Sequence, residues 1–270
     1  ALTFHRTGHC MMKDRTPYFM ALFAASAAFW WFFEYLNRFV QNWYYAGILD
    51  ITPGEYVLFA TLPFSTVLPA VLGTYELLNS FPSAGAGLDN FVRIDLRRTK
   101  AVAWLMLLGA CGGLVGIGIW PDYLFPLLWL SPLLVITSLQ AIRGESTLFA
   151  PIRLGCWRRI YLLAMAALIC GFFWEMWNFF SLAQWKYTVP FVGEFKLFEM
   201  PILGFAGYLP FGLECAVIGD IVAGFVARLS REKGARVSLG DVSAYGNTVI
   251  VIGLSVYFLL IPGLLVINYL

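Results

Sequence analysis

The sequence predicts an all-α integral membrane protein, a seven-transmembrane-helix bundle with a weak parallel internal repeat relating helices 1–3 to helices 5–7. Three observations carry this. Of 270 residues, 60% are hydrophobic and 13% are charged, about half the charged share of a soluble domain. Seven apolar stretches are long enough to cross a bilayer, and the basic residues between them fall on alternate sides.

A crossing takes about 20 mostly apolar residues at about 1.5 Å each. The first stretch runs from Pro17 to about Phe39, the second from Tyr56 to Tyr75, and the third from Ala101 to Ile119. The fourth is Tyr123–Ile142, and the fifth runs from Ile160 to about Leu182. The sixth, from about Met200 to Ala227, is interrupted by Glu214 and Asp220, and the seventh lies within Val242–Leu270. The order divides the chain into a tail (1–16), a first repeat (17–119), a linking helix with a basic loop (120–159) and a second repeat (160–270).

Charge supports the count independently. The tail and the loops after the second, fourth and sixth stretches hold 15 of the 18 Lys and Arg. The positive-inside rule puts that side, with the N-terminus, in the cytoplasm of an inner or plasma membrane, and the C-terminus opposite. The polar, basic start, Ala1 to Arg15, lacks a signal-peptide pattern, so none is expected to be cleaved. Five scattered cysteines make a disulfide framework unexpected. A net charge of +2 gives no reason to expect nucleic acid.

The repeat rests on order and spacing. Phe33-Glu34-Tyr35-Leu36-Asn37 is followed by Trp43 and Tyr45, and Trp174-Glu175-Met176-Trp177-Asn178 by Trp185 and Tyr187. Pro63 precedes Glu76 by thirteen residues, as Pro201 precedes Glu214. Both copies would enter the membrane in the same direction, which describes a parallel repeat.

Ionisable groups inside a bilayer are costly and usually face a bundle interior or an aqueous cavity. Here they are Glu34, Glu175, Glu214 and Asp220, with Glu76 and Glu199 nearer helix ends. Glu34 and Glu175 are expected at equal depth, and Asn37 and Asn178 share their helix faces at i+3. Pro63 and Pro201 could open helices 2 and 6 beside them. Arg38, one turn after Glu34, leaves an interfacial ion pair open as the plain reading of that carboxylate. Glu175 has Phe179 at that place, so it needs a polar partner from another helix; a carboxyl kept neutral in an apolar surround serves as a general acid. Trp30, Trp31, Trp43, Trp174, Trp177 and Trp185 form either a membrane-interface belt or the wall of an aromatic pocket. Glycines 109, 112, 113 and 116 contain two GxxxG spacings and read as close helix packing.

The only histidines are His5 and His9, both before the first crossing, so neither a bis-His haem nor a di-iron site is expected within the membrane. No phosphate-binding loop or Asp-rich diphosphate motif is visible, and no lysine lies within a crossing to hold retinal. No metal or other cofactor is expected.

The run from Trp31 to Leu68 resembles the membrane-embedded lycopene cyclase-type domain. The resemblance rests on Trp31, Glu34, Asn37, Trp43-Tyr44 and Pro53-Gly54-Glu55-Tyr56-Val57-Leu58-Phe59, with a looser second copy from Trp174 to Pro201. The family's tandem Glu is here Glu55 alone, and its Asp-Asn pair is absent. The resemblance implies acid-catalysed chemistry on a long isoprenoid, with Glu34, Glu175 and Glu55 as the acidic positions. Asn37, Asn178, Trp31, Trp174, Trp177 and Glu214 would then contact substrate. A proton-coupled transporter or lipid flippase remains open beside this, as does a non-catalytic membrane subunit. Membrane lipid is the expected partner in each case, and the enzyme reading adds a hydrophobic small molecule.

Overall fold

The computed structural model describes residues 1–48, 51–95 and 99–232. In order these form α1 (Leu2–Thr7), α2 (Met11–Asp14), α3 (Thr16–Val40), β1 (Trp43–Ala46), α4 (Pro53–Phe64), α5 (Val67–Asn79) and α6 (Thr99–Gly116). There follow α7 (Pro121–Leu124), α8 (Pro126–Ile142), α9 (Arg158–Phe179), β2 (Gln184–Tyr187), β3 (Lys196–Leu197), β4 (Met200–Pro201) and α10 (Tyr208–Glu232).

Among the described residues, four helical stretches are long and apolar enough to cross a membrane: Thr16–Val40, Pro53–Asn79, Arg158–Phe179 and Ile202–Arg231. They coincide with the first, second, fifth and sixth apolar stretches. The third and fourth fall on the shorter apolar helices Lys100–Gly116 and Pro126–Ile142, each about 26 Å long at 1.5 Å per residue. Proline at the start of α8 and a turn after Gly116 keep these two short. The seventh stretch, Val242–Leu270, lies outside the described residues.

The core is built around α3. Its buried residues Leu22, Ser26, Phe29, Phe33, Leu36 and Val40 recur every three or four positions, one continuous stripe on a helix. Phe29 and Phe33 meet Phe211 of α10, and Phe33 stacks on Trp129 of α8 at 5.0 Å.

Proline opens the second crossing, but not the sixth. Pro63 stands in the last turn of α4, and the helix is interrupted at Ser65–Thr66 before α5. There the buried Ser26 hydroxyl donates to Phe64 O at 2.6 Å and accepts from Leu68 N–H at 3.0 Å. It thus inserts between two groups that would otherwise bond each other along a helix. Pro201 interrupts no helix, because it closes β4 before the 3-10 turn Ile202–Gly207.

Two of the four glycines of α6 are used for close packing. A side chain at Gly113 would meet Leu127 at 2.6 Å, and one at Gly116 would meet Leu124 at 2.5 Å, whereas Gly109 and Gly112 face open space. The contacting pair is spaced i, i+3, so neither GxxxG spacing forms a seam as a unit.

The basic segments gather at one end. Arg6 reaches Ser80, Arg158 reaches Phe81 O, Trp157 reaches Val92 O and Arg153 pairs with Asp95. Both α3 and α9 start at this end and run to the opposite one, where β1 and β2 pair.

Candidate functional site: a ribbon of aromatic donors over two buried carboxyls

Alternating aromatic residues favour extended chain, and both Trp-x-Tyr stretches are strands. They pair antiparallel, Trp43 with Tyr187, Tyr44 with Lys186, Tyr45 with Trp185 and Ala46 with Gln184. Directly opposed residues share a face of a ribbon. Trp43, Tyr45, Trp185 and Tyr187 therefore project together to one side, and Tyr44 and Lys186 to the other.

The two asparagines hold this ribbon on its helices. Asn37 donates to Trp43 O at 2.7 Å and accepts from the N–H of Asn42 and Trp43 at 2.8 and 3.3 Å. Asn178 does the same across the molecule, donating to Trp185 O at 2.9 Å and accepting from Trp185 N–H at 2.8 Å. Both side-chain amides, expected to contact a substrate, are here engaged with the ribbon backbone through their oxygen and their nitrogen.

Glu34 and Glu175 each receive side chains from the ribbon. Glu34 Oε1 accepts from Tyr45 O–H at 2.6 Å, Trp43 Nε1 at 3.1 Å and Trp30 Nε1 at 3.2 Å. Arg38 is exposed, and no ion pair joins it to Glu34 among the described residues; the aromatic donors take that place. Glu175 is fully buried, and its Oε1 accepts from Tyr187 O–H at 2.7 Å and Tyr208 O–H at 2.8 Å. Trp185 Nε1 donates to the Tyr187 oxygen at 2.9 Å, lengthening the relay. Glu175 Oε2 has no partner. Burial, reinforced by the neighbouring carboxylates, pushes the Tyr45 and Tyr187 hydroxyls well above the usual range. Both remain donors at neutral pH.

Tyr208 reaches Glu175 because Gly171 leaves room for it. A Cβ at 171 would stand 2.4–2.6 Å from three atoms of the Tyr208 ring. Trp174 lies beside the same ring, with centroids 6.1 Å apart.

Other expected site residues stand elsewhere. Glu55 is exposed and closes a capping box with Thr52 at the start of α4, so it is a helix-end residue here. Trp31 donates to Thr61 at 3.0 Å and packs α4 against α3. Trp177 is 61% exposed on the outer side of α9. Asp220 holds Arg159, with both carboxylate oxygens at 2.8 Å, at the basic end. Glu76 accepts from Met11 N–H and faces Arg15 there, whereas Glu199 pairs with Lys186 at the ribbon end. Among the described residues no three His, Cys, Asp or Glu side chains could hold a metal ion together.

Glu214 lies fully buried in α10, where no side chain bonds its carboxyl and the backbone of Leu133 in α8 lies beside it. A buried polar group left unpaired costs about 1–3 kcal/mol. Glu214→Leu is therefore expected to raise the thermal unfolding midpoint of the detergent-solubilised protein, by roughly a few degrees. A lowered midpoint would show that the carboxyl is satisfied in the working protein.

Tyr45, Tyr187 and Tyr208 are absent from any reading of acidic motifs, yet they make the shortest bonds to the two carboxyls. The signal for the first two was available, since Trp-x-Tyr alternates with period two in both copies. Nothing local marks Tyr208. No protein-family model matches the chain, and neither does any curated protein or solved structure.

Proposed function

We propose that this protein is an intramembrane enzyme that carries out acid-catalysed chemistry on an isoprenoid or carotenoid-like lipid, with Glu175 as the acid. In this reading the chain is a seven-helix bundle built from a parallel repeat, with the basic end in the cytoplasm. The observation that carries it is the asymmetry of the Glu175 carboxyl. Two hydroxyls already donate to Oε1, and Oε2 is buried and empty-handed. An acid proton on this group therefore resides on Oε2, with no protein acceptor competing for it. An apolar ligand beside Oε2 would be the base. Tyr187 and Tyr208 stabilise the carboxylate left behind by strengthening their bonds to Oε1. Aromatic faces such as that of Trp174 favour a cation on the substrate. Glu34, with three donors on one oxygen, is the equivalent position turned to holding the ribbon.

A transporter is the second reading, favoured by one arrangement. The helices that carry Glu175 and Tyr208 are locked by Arg159–Asp220 at their other end. Such a layout suits a proton-coupled carrier with a gate at each end.

Lipid extraction and mass spectrometry of the purified protein, beside Glu175→Gln, tests the proposal. General acid catalysis contributes about 10²–10⁴-fold, so the variant is expected to accumulate an unreacted isoprenoid that the wild type converts. Ordinary phospholipids alone in both samples would overturn the enzyme reading. Proteoliposome uptake abolished in Glu175→Gln, without chemical change of any lipid, would establish the carrier.

A further inference from the structure

Between β2 and β4 the chain reads Thr188-Val189-Pro190-Phe191-Val192-Gly193-Glu194-Phe195-Lys196-Leu197-Phe198-Glu199. Three phenylalanines of this loop, Phe191, Phe195 and Phe198, have φ of 65°, 52° and 58°, a region bulky residues rarely adopt. Phe191 is 77% exposed and Phe195 is 83% exposed. Two large rings are thus presented away from the protein by a backbone held in an uncommon conformation.

The loop is anchored from below. Lys186 pairs with Glu199, Ile202 N–H donates to Phe195 O at 2.9 Å, and β3 pairs with β4. Phe198 packs on Phe172 and Phe179 of α9, with centroids 5.6 and 5.9 Å apart. Phe191 lies 5.8 Å from Tyr123 of α7. The Phe191 ring is therefore placed beside Tyr123, and Phe195 is fixed through its backbone bond to Ile202.

What they face follows from the surface they continue. Ile169, Phe173, Trp177 and Phe180 are exposed along one side of α9, spaced as a single helical stripe. On a helix long and apolar enough to cross a membrane, that stripe meets lipid. Phe172 and Phe179 border it and carry Phe198, so the loop extends the lipid-facing surface beyond the helix end.

We propose that residues 189–199 form a wedge that inserts Phe191 and Phe195 into the lipid leaflet at the ribbon end, at the headgroup–acyl boundary. Glu194 and Lys196, both exposed and flanking Phe195, reach the headgroups. Aromatic rings are favoured at that depth.

Photo-crosslinking tests it on the full chain in phosphatidylcholine nanodiscs. The probe is p-benzoylphenylalanine, a close relative of phenylalanine, placed singly at position 191, at position 195 and at the buried Phe29. Mass spectrometry of the irradiated protein is expected to find phosphatidylcholine adducts at positions 191 and 195, and adducts only within the protein at position 29. Adducts at 191 and 195 to a second copy or to another part of this chain would overturn the wedge, and so would no adduct at all.

Discussion

Gly212→Ala is expected to lower the thermal unfolding midpoint sharply. A Cβ at 212 would stand 2.2 Å from Leu163 O, 2.8 Å from Leu163 C and 3.0 Å from the Ala167 side chain. The first two atoms belong to the α9 backbone and cannot rotate away, so α9 and α10 must part by about 1 Å or more to restore ordinary contact. Small residues at such crossings let membrane helices approach closely, and overpacking costs about 1–3 kcal/mol, occasionally more. The strain also reaches the site, because α9 carries Glu175 and α10 carries Tyr208. Gly109→Ala is the control: nothing lies within 4 Å of a Cβ there, and alanine is the better helix former. Thermal unfolding in one detergent should show a large loss for Gly212→Ala and none for Gly109→Ala. Equal midpoints would mean that the α9–α10 contact is looser than the structure has it.

Asn37→Ala is the second large effect. The substitution leaves Trp43 O and the N–H groups of Asn42 and Trp43 without partners, in residues only 2% and 6% exposed. Unpaired buried groups cost about 1–3 kcal/mol each and do not add simply, so the expected loss is about 2–4 kcal/mol. Trp43 and Tyr45 are also released from Glu34. Asn37→Asp keeps the acceptor oxygen but sets a second carboxyl oxygen against Trp43 O, so it should not recover the wild-type midpoint. Asn178→Ala should repeat the loss in the second half. A wild-type midpoint for Asn37→Ala would show that strand pairing alone holds the ribbon.

How much was legible depended on whether the signal was local. The apolar stretches were, because crossing length and hydropathy are properties of consecutive residues; six of the seven coincide with helices among the described residues, two of them short. Glu34, Glu175, Asn37 and Asn178 stood out because a polar residue in such a stretch has no local reason to be there. The roles of the asparagines were not legible, since their partners come from strands six or seven residues further on. Glu55 looked like an acid beside Glu34, but its nearest partner is Thr52, three residues away, and the capping box takes it. Trp177 sits between Glu175 and Asn178 in sequence, yet a helix turns about 100° per residue, which sends it to the opposite side.

Composition and spacing along the chain establish a helical, membrane-compatible protein with acidic and aromatic residues in recurring order. Hydrophobicity, charge and spacing are summed along the chain, and one dimension suffices for them. Packing in three dimensions brings two Trp-x-Tyr stretches 142 residues apart into one ribbon. It also decides that Tyr208 reaches Glu175 past Gly171, that Asp220 belongs to Arg159, and that Glu214 has no side-chain partner. Each of these turns on which helix faces which, and that is settled by how glycines and rings pack between elements distant in sequence.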